Sequence, residues 1–598
     1  MNILSKINKS VKKYDIINMA DAKFFHILLG EIINMFEIAK DPAIWERVRN
    51  DEAFARHRKE IKAKYDKAFE KRPRAATAWQ VLDFPNVSGP DTFHQLQSSA
   101  LLALIYPDNE EYYRSLVEVV WEICNEYTWA PLGHYNSYYD RTPADFDPGL
   151  IDIYAASLGF SMAEIKHLFK DRFPKLLVDR MTYEIRRHTI EPYLTRKFFW
   201  ETHNNNWTAV CTGAVGGALM YENPEEFKRQ LPRLQASMEC YLNSYDDDGM
   251  CVEGTAYWGF GFGFFAVYAM LLREFSNGEY DWLKNPKVKA ISQFVQKMFL
   301  QPNVLALFSD VNIREGYWVG LPHMLKTIYG DAIENLPAEQ ATIITYAHWA
   351  FAIRSTVYYN PDFVGDKLSN ATYSAPVTNY FTKRTDNYGF ALKGGNQWES
   401  HNHQDVGSFI LARHNKQIFC DFGYIGPGNW PGYQSNRRNE YFQPSSFSHN
   451  LPYFDGVGQG GDSTDKARAV YNEADGVVCM DFTLGYDPKK HPKLQKALRR
   501  FKPLDDKIEM HDTFTFSDKT EVTERFVSVI KPRVEGTTVI VDDVRILLEC
   551  DATLNIIEQP FVDQLPDENG NHEKICYLID YTMNGDKVDF KATIDFLG

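Results

Sequence analysis

The chain carries two kinds of hydrophobic pattern, and the change between them falls near residue 370. Up to about residue 355, apolar positions recur three and four residues apart, for example in residues 21–39, 92–106, 207–221, 257–275 and 337–353. This spacing places the apolar side chains on one face of an α-helix. Roughly a dozen such segments follow one another with no predicted strand between them. The pattern therefore predicts an array of helical hairpins that stacks as a solenoid or closes into a toroid.

The second pattern begins after residues 358–379, which are rich in Pro, Asn, Ser and Thr. Short runs of alternating apolar and polar residues follow, for example at 388–393, 408–413 and 476–482, and they predict antiparallel strands. The predicted fold class is a multidomain α+β protein, with helical residues 1–370 followed by an antiparallel β-sandwich over residues 371–598. A junction between two such domains is a frequent place for a ligand cleft.

Composition limits the classes of partner. The 598 residues carry a net charge of −15, which argues against non-specific nucleic-acid binding. Aromatic residues make up 14% of the chain, enough to line a groove with flat rings. No run of 18 apolar residues predicts a membrane span, and the first residues lack the apolar segment of a signal peptide. We expect a cytoplasmic protein, or a periplasmic or secreted one if a leader has been removed; the oligomeric state stays open.

Two histidines lie close together in the stretch Glu-Ser-His-Asn-His-Gln-Asp at residues 399–405. In an extended backbone His401 and His403 would share a face, as metal ligands, as proton-transfer groups, or as one of each. The alternative is a polar turn between strands. Downstream, Asp421 ends a predicted strand and His449 lies in Ser-Phe-Ser-His-Asn. Two histidines and a carboxylate suit a divalent ion such as zinc, but spacing alone does not bring three segments together.

A third motif opens a helix of small residues. Trp-Glu-Thr-His-Asn-Asn-Asn-Trp occupies residues 200–207. A helix N-cap needs only one asparagine. Residues 204–206 are all asparagine, and a cap uses only one of them, so two amides of Asn204, Asn205 and Asn206 are left over. Together with His203, these amides suit recognition of a sugar or a carboxylate.

Three further places carry candidate chemistry. Glu253 and Tyr257 precede an aromatic helix, where a tyrosine either packs or transfers a proton. His134 lies in His-Tyr-Asn, which is either a sugar contact or an ordinary polar helix start. Arg437 and Arg438 are adjacent on the segment before His449, where guanidinium groups either bind a carboxylate or sulfate or stay solvated.

Taken in order, these motifs resemble the heparinase II/III-like polysaccharide lyases. The set comprises Asn-Asn-Trp, Glu-Gly-x-x-Tyr-Trp-x-x-Gly, His-x-His-x-Asp, Asp-x-Gly and Ser-His-Asn, and it spans roughly residues 130–460. The resemblance implies an N-terminal (α/α) toroid, a C-terminal antiparallel β-sandwich and an active site between them. It also implies a structural divalent metal, usually zinc, with manganese or calcium as alternatives.

The resemblance also implies roles for individual residues. The catalytic residues would be Asn206, Tyr257, His401 and His203, although the His-Asn-Asn-Asn-Trp order around His203 departs from the Asn-His version of the family. The metal ligands would be His403, Asp421 and His449. The expected substrate contacts are Asn205, Trp207, His134, Arg437, Arg438 and Glu253.

The implied reaction is β-elimination next to a uronate. An amide such as that of Asn206 would neutralise the carboxylate, and a base and an acid would move protons at C5 and O4. Whether Tyr257 serves alone or with a histidine stays open. The expected substrate is a glycosaminoglycan chain or oligosaccharide of the heparin or heparan sulfate, hyaluronan or chondroitin type, with alginate or another oligouronide as the alternative. Other classes are a toroid glycoside hydrolase using Glu201 and Glu253, or a non-catalytic carbohydrate-binding protein.

Overall fold

The computed structural model of the chain describes residues 37–70, 89–131, 134, 149–311, 316–343, 348–426, 430–431, 433, 437–460, 466–472 and 475–597. Its N-terminal part is helical and its C-terminal part consists of antiparallel sheet, as the two periodicities predict. A helix predicted over residues 21–39 lies almost wholly outside the described residues. The α-helices of the N-terminal part are Pro42–Asn50, Ala55–Glu70, Gly89–Ile105, Glu110–Ile123, Ile153–Phe169, Lys175–Ile185, Glu191–Thr195, Asn206–Glu222, Pro224–Leu242, Thr255–Tyr257, Gly263–Phe275, Pro286–Ser292, Phe294–Met298, Gly320–Tyr329 and Trp349–Val357.

The helix Asn206–Glu222 lies at the centre of the helical region. It packs against Ile153–Phe169 on one side and Pro224–Leu242 on another, and it is buried along almost its whole length. Its small residues allow close packing, because a Cβ added at Gly216 would lie 2.5 Å from the Tyr268 ring and one at Gly217 2.6 Å from the Phe160 ring. The run of small residues in the sequence is therefore a packing feature of the helical core.

The α-helix predicted over residues 337–353 is absent from residues 337–343. That segment contains the short strands Leu336–Pro337 and Ala341–Thr342, and the helix begins only at Trp349. Each strand forms a parallel pair, with Val364–Gly365 and Tyr317–Trp318 respectively. Proline and β-branched residues in this segment disfavour helix, and tertiary pairing decided the outcome.

The aromatic helical stretch Thr255–Phe275 is long and apolar enough to cross a membrane by length and composition. However, 83% of its apolar window is buried inside the protein. It includes the π-helical turn Trp258–Phe262. A helix that is apolar on all sides is typical of the interior of a large domain, and here it packs against Asn206–Glu222.

The C-terminal part holds two antiparallel sheets within its described residues. The smaller sheet has the strand order Lys416–Phe419, Phe409–Arg413, Gly389–Lys393, Tyr380–Arg384 and Ala371–Ala375. The larger sheet runs through Arg468–Asn472, Val477–Asp481, Leu494–Pro503, Lys507–Ser528, Glu573–Phe596, Val544–Leu548, Thr538–Val541 and Arg533–Glu535. Pro452–Phe454 pairs with Lys507–Ser528, and Thr553–Val562 pairs with Glu573–Phe596.

The smaller sheet is buried on both faces, and this places it between the two parts of the molecule. Alternation sends Phe390 and Leu392 into the core shared with the larger sheet, whereas Ala391 and Ile410 belong to the core of the helical region. Arg384 donates hydrogen bonds to the carbonyls of Gln296 and Phe299 in the helical region. The loops at the end of this sheet therefore lie directly against the helices. The domain boundary at residue 370 stays a prediction.

Candidate active site

Asn206 is positioned by the start of the central helix. Asn205 is the N-cap, and its Oδ1 accepts a hydrogen bond from the Trp207 backbone N–H at 3.2 Å. The side chain of Asn206 is therefore not used as the helix cap, and its buried amide donates to Glu253 Oε2 at 2.8 Å. The three consecutive asparagines predicted one helix cap with two amides left over, and the cap is confirmed. The bond to Glu253 was not foreseen.

A sharp turn brings Glu253 and Tyr257 to the same place. Gly254 has φ +94°, and a Cβ there would lie 2.6 Å from the Val311 side chain, so the turn requires glycine. Tyr257 follows at the start of the aromatic helix, and its ring stacks on the His401 ring with centroids 3.8 Å apart. This contact joins the helical region to the β region and brings together two predicted catalytic residues.

His401 lies in a turn, not in the extended backbone that sequence analysis assumed. Its φ is +58°, a left-handed conformation that costs energy for a residue with a side chain. His401 and His403 therefore do not simply project side by side. Instead both contact one carboxylate: Asp310 Oδ2 lies 3.0 Å from His401 Nδ1, and Asp310 Oδ1 lies 3.2 Å from His403 Nε2.

Asp310 is the functional-site residue that sequence analysis missed. It follows the short strand Val304–Leu305 in the helical region and is buried. Besides the two histidines, it accepts hydrogen bonds from the Tyr433 hydroxyl and from Arg438 Nη2, both at 2.7 Å. Burial raises the pKa of Asp310, but the histidine hydrogen bonds and Arg438 outweigh burial and hold it well below the ordinary value.

An ionised Asp310 fixes the histidine tautomers. Because a carboxylate only accepts, His401 carries its proton on Nδ1 and His403 on Nε2 when each ring is neutral. His401 Nε2 is then the basic atom, and the His401 side chain is 19% exposed. The signal in the sequence was weak, because an acidic residue ending an apolar run is common.

The three predicted metal ligands meet in the β region. His403, Asp421 and His449 are buried, and each offers a ligand atom within 4.8 Å of the others. Burial lowers the pKa of His403. Burial also disfavours the charged form of His449, but the Asp421 carboxylate outweighs it and raises the pKa of that imidazole.

These residues fit a divalent cation. Within the described part of the chain, His403 Nδ1 and His449 Nε2 are buried without a hydrogen-bond partner, which is costly in a site that stays empty. His449 Nδ1 and Asp421 Oδ2 are 3.1 Å apart, a spacing that suits a hydrogen bond or two ligands of one ion. The other nitrogen of His403 contacts Asp310, as outer carboxylates do for metal-bound imidazoles.

A buried ion pair supports the loop between the two histidines. Lys393 Nζ lies 2.6 Å from Asp405 Oδ1 and 2.6 Å from Asn402 Oδ1, and both charged side chains are fully buried. The strand pattern at residues 388–393 placed Lys393 at a strand end and gave no sign of this ion pair. The pair fixes residues 402–405 to the smaller sheet, and so it positions His403.

A cavity of about 320 Å³ opens beside Tyr257 between the two parts of the molecule. Glu253 and Tyr257 line it from the helical region, and Trp398 and Glu399 line it from the β region. Burial raises the pKa of Tyr257 well above the ordinary value, and the nearby carboxylates of Asp310 and Glu253 raise it further. The Tyr257 hydroxyl is therefore a neutral phenol in this environment.

The remaining predicted residues lie around this centre in different environments. His203 is exposed, and its Nδ1 donates to the Phe199 carbonyl at 2.7 Å. Trp207 is buried against Phe199 and His134. His134 Nδ1 lies 2.5 Å from Asp152 Oδ2, at the start of the helix Ile153–Phe169. These contacts account structurally for the three side chains, and their predicted roles stay predictions.

The two neighbouring arginines separate. Arg438 is mostly buried on Asp310, whereas Arg437 is exposed and pairs with Glu440 at 2.9 Å. Adjacent residues point in different directions in this turn, so sequence alone did not distinguish the buried guanidinium from the solvated one.

Comparison with known proteins identifies the β region. Residues 369–569 match the family described as heparinase II/III-like, C-terminal. These residues form a heparinase II/III-like C-terminal domain. A search of curated proteins found no match.

Solved structures share the fold of the heparinase II/III-like domain together with the helical region. The heparan sulfate lyase HepC from Pedobacter heparinus is 14% identical, with a TM-score of 0.58 over 100% of this chain and 91% of that one. A heparinase III structure is 13% identical, with a TM-score of 0.61 over 95% of this chain and 86% of that one. The chondroitin AC lyase from Streptomyces coelicolor A3, solved with chondroitin sulphate, is 10% identical, with a TM-score of 0.55 over 94% and 83%. The predicted architecture, a toroid followed by a β-sandwich, is confirmed.

Proposed function

We propose that the protein is a polysaccharide lyase that cleaves a uronate-containing chain by β-elimination. The observation that carries this proposal is the stacked pair of Tyr257 and His401, 3.8 Å apart at the junction of the two domains. The pair joins a phenol to an imidazole whose other nitrogen is held by Asp310. Elimination needs one acid and one base on neighbouring atoms of the sugar, and this pair supplies both.

In the proposed mechanism His401 is the base. Its Nε2 takes the C5 proton of the uronate, and Asp310 stabilises the imidazolium that forms. Asn206 donates its amide to the uronate carboxylate, where negative charge grows toward the enediolate. Glu253 Oε2 accepts a hydrogen bond from Asn206 Nδ2 and so orients the amide.

Tyr257 is the acid in this mechanism. Its pKa is raised by burial and by neighbouring carboxylates, so the hydroxyl holds its proton until the bond to O4 breaks. The electron pair left on C5 forms the C4–C5 double bond, and the O4 leaving group takes the phenolic proton. The open question of the sequence analysis, Tyr257 alone or a Tyr–His pair, is thus decided in the proposal for the pair. His203, exposed on its turn, is assigned at most a contact with the sugar.

His403, Asp421 and His449 would hold a divalent cation, for which we propose zinc on the basis of the two imidazoles and one carboxylate. When bound, the ion would cross-link the segments that carry these ligands. The candidate ligand His403 is two residues from His401, which supports a structural role for the ion in fixing the catalytic loop.

We propose a glycosaminoglycan of the heparan sulfate or chondroitin type as substrate, and alginate or another oligouronide as the second candidate. The structural relatives named above act on the former. The hydrolase alternative is weaker, because Arg233 binds both carboxylate oxygens of Glu201, at 2.7 and 2.6 Å, and leaves no free acid there. The cytoplasmic location stays part of the proposal.

The test is incubation of the protein with heparan sulfate, chondroitin sulfate, hyaluronan and alginate, followed by ultraviolet absorbance of the 4,5-unsaturated uronate. We expect absorbance with at least one glycosaminoglycan and none with the Tyr257→Phe variant, which keeps the ring and its packing. New reducing ends without this absorbance would indicate a hydrolase. Binding with neither product would indicate a carbohydrate-binding protein.

A further inference from the structure

An exposed tryptophan lies at the rim of the cavity beside Tyr257. Trp398 is 62% exposed and lines the cavity together with Tyr257 and Glu399. Exposing a large apolar ring to water is unfavourable, and exposed aromatic rings on a concave surface are typical of ligand contacts. The mechanism proposed above uses neither Trp398 nor Glu399.

The segment that carries Trp398 is held in place by hydrogen bonds. Asn396 Oδ1 accepts from the Trp398 backbone N–H at 2.8 Å, and the Asn396 carbonyl accepts from Asn402 Nδ2 at 3.0 Å. Asn402 in turn contacts the buried Lys393. The indole is thus mounted on a turn fixed to the smaller sheet. A fixed ring binds a ligand with little loss of conformational entropy.

Glu399 provides a polar group next to that ring. Its Oε1 accepts from the Asn396 backbone N–H at 3.3 Å, whereas Oε2 is buried with no hydrogen-bond partner among the described residues. Burial raises the pKa of Glu399 to about 7. Glu399 is one of the residues that line the cavity, and its unsatisfied oxygen leaves an acceptor available for a hydrogen bond from a ligand.

We propose that Trp398 and Glu399 form a binding subsite for the sugar ring next to the cleaved bond. The apolar face of a pyranose lies against the indole, and a ring hydroxyl donates to Glu399 Oε2. The ligand class is a pyranose unit of a glycan chain, whatever its uronate content. The position of this unit next to the bond that breaks rests on the proposed lyase function, but sugar binding by the subsite does not.

Trp121 provides a matched control. It is 42% exposed on the helical region, with the guanidinium of Arg180 5.8 Å from its ring centroid. It is not among the residues that line the cavity beside Tyr257. Replacing Trp121 by alanine removes an equally large exposed ring, so it measures any general effect of losing an indole.

The experiment measures oligosaccharide binding by calorimetry in the Tyr257→Phe background, where turnover is stopped. The probes are size-fractionated oligosaccharides from heparan sulfate, chondroitin sulfate and alginate. We expect Trp398→Ala to raise Kd about tenfold or more, because the variant loses the apolar contact between the sugar face and the indole. Trp398→Phe should restore most of the affinity, Glu399→Ala should raise Kd about threefold to tenfold, and Trp121→Ala should leave Kd unchanged.

The outcomes separate the subsite from the reaction. In the otherwise unsubstituted enzyme, the loss in Trp398→Ala should lie in KM more than in kcat, because stacking acts in ground and transition state alike. If no unsaturated product forms with any polymer but Trp398→Ala still weakens binding, the subsite stands and the lyase proposal fails. Equal Kd values for Trp398→Ala and its parent, equal losses in Trp398→Ala and Trp121→Ala, or no binding of any probe would overturn the subsite.

Discussion

Two aspartate–histidine pairs of nearly equal spacing lie close together in space, because His403 contacts Asp310 and lies with Asp421 and His449. Asp310 and His401 are 3.0 Å apart, and Asp421 and His449 are 3.1 Å apart. The second pair is fully buried, whereas the His401 side chain is 19% exposed and stacks on Tyr257 beside the cavity. The same two residue types thus occupy two environments.

The difference in environment indicates that the two histidines have different functions. A partly exposed histidine that stacks on a residue lining a cavity can exchange a proton with a ligand, and its aspartate holds the ring in one tautomer. A histidine closed off among buried polar atoms cannot, but it can complete the coordination of an ion. His403 links the pairs, because it contacts Asp310 and lies with Asp421 and His449. Burial, not residue type, separates the proposed catalytic residue from the proposed ligands.

The largest effect that tests this comparison is expected from replacing the two neighbouring histidines. His401→Ala should lower kcat by about 10²–10⁴-fold, the usual range for a general base, and should retain metal. His403→Ala should lose metal and thermal stability, because the site then keeps only two of its three ligands, Asp421 and His449. Metal analysis, melting curves and kcat of both variants make the measurement. Equal metal content in the two variants would contradict the assignment.

The next largest effect is expected for Asn206, whose amide acts together with the Asp310–His401 pair in the proposed mechanism. Asn206→Ala should lower kcat by about 10²–10³-fold with little change in KM, because the amide stabilises charge that develops in the transition state. Asn206→Asp should be at least as damaging, since it places a second carboxylate beside Glu253.

Steady-state kinetics and melting curves of both Asn206 variants provide the check. Asn205→Asp is the control, since aspartate also caps helices and Asn205 is the observed cap. A loss confined to KM would reduce Asn206 to sugar recognition, and full activity in Asn206→Asp would overturn the mechanism.

A smaller effect is expected from replacing Asp310, which contacts both His401 and His403. Asp310→Asn keeps the shape of the side chain but weakens its hold on His401 and His403. We expect a loss of about 10–100-fold in activity and a similar loss in metal affinity, the usual scale for outer carboxylates. Asp421→Asn should affect metal content first. Activity assays and metal titration of both variants test this, and a fully active Asp310→Asn enzyme would show that His401 needs no orienting carboxylate.

The smallest effects should separate the two adjacent arginines. Arg438→Ala removes a hydrogen bond to Asp310 and should lower activity by about tenfold, the low end of the range for one charge-assisted bond. Arg437→Ala should leave activity and melting temperature unchanged, because the exposed Arg437–Glu440 pair is solvated. The two variants are compared in the same assay. A larger loss from Arg437→Ala would indicate that the solvated guanidinium binds substrate instead.

The sequence determined the architecture and the residues that could meet. Helical spacing and then strand alternation each reflect which side chains avoid water, and this local rule does not depend on the rest of the fold. It failed at residues 337–343, where pairing with Val364–Gly365 and Tyr317–Trp318 replaced α-helix. The ordered motifs also predicted the three candidate metal ligands: His403, Asp421 and His449 meet, although His403 and His449 are 46 positions apart in the chain.

Only the tertiary structure decided how these residues work together. Asp310 lies in the helical region, whereas the histidines that it contacts lie in the β region, and Glu253 is 47 positions from Asn206, whose amide donates to it. No local pattern encodes such contacts, because they depend on how the smaller sheet packs against the helices. The left-handed turn at His401 is likewise imposed by its surroundings. Burial by the assembled domains made one aspartate–histidine pair a candidate for proton transfer and the other a candidate for holding a metal.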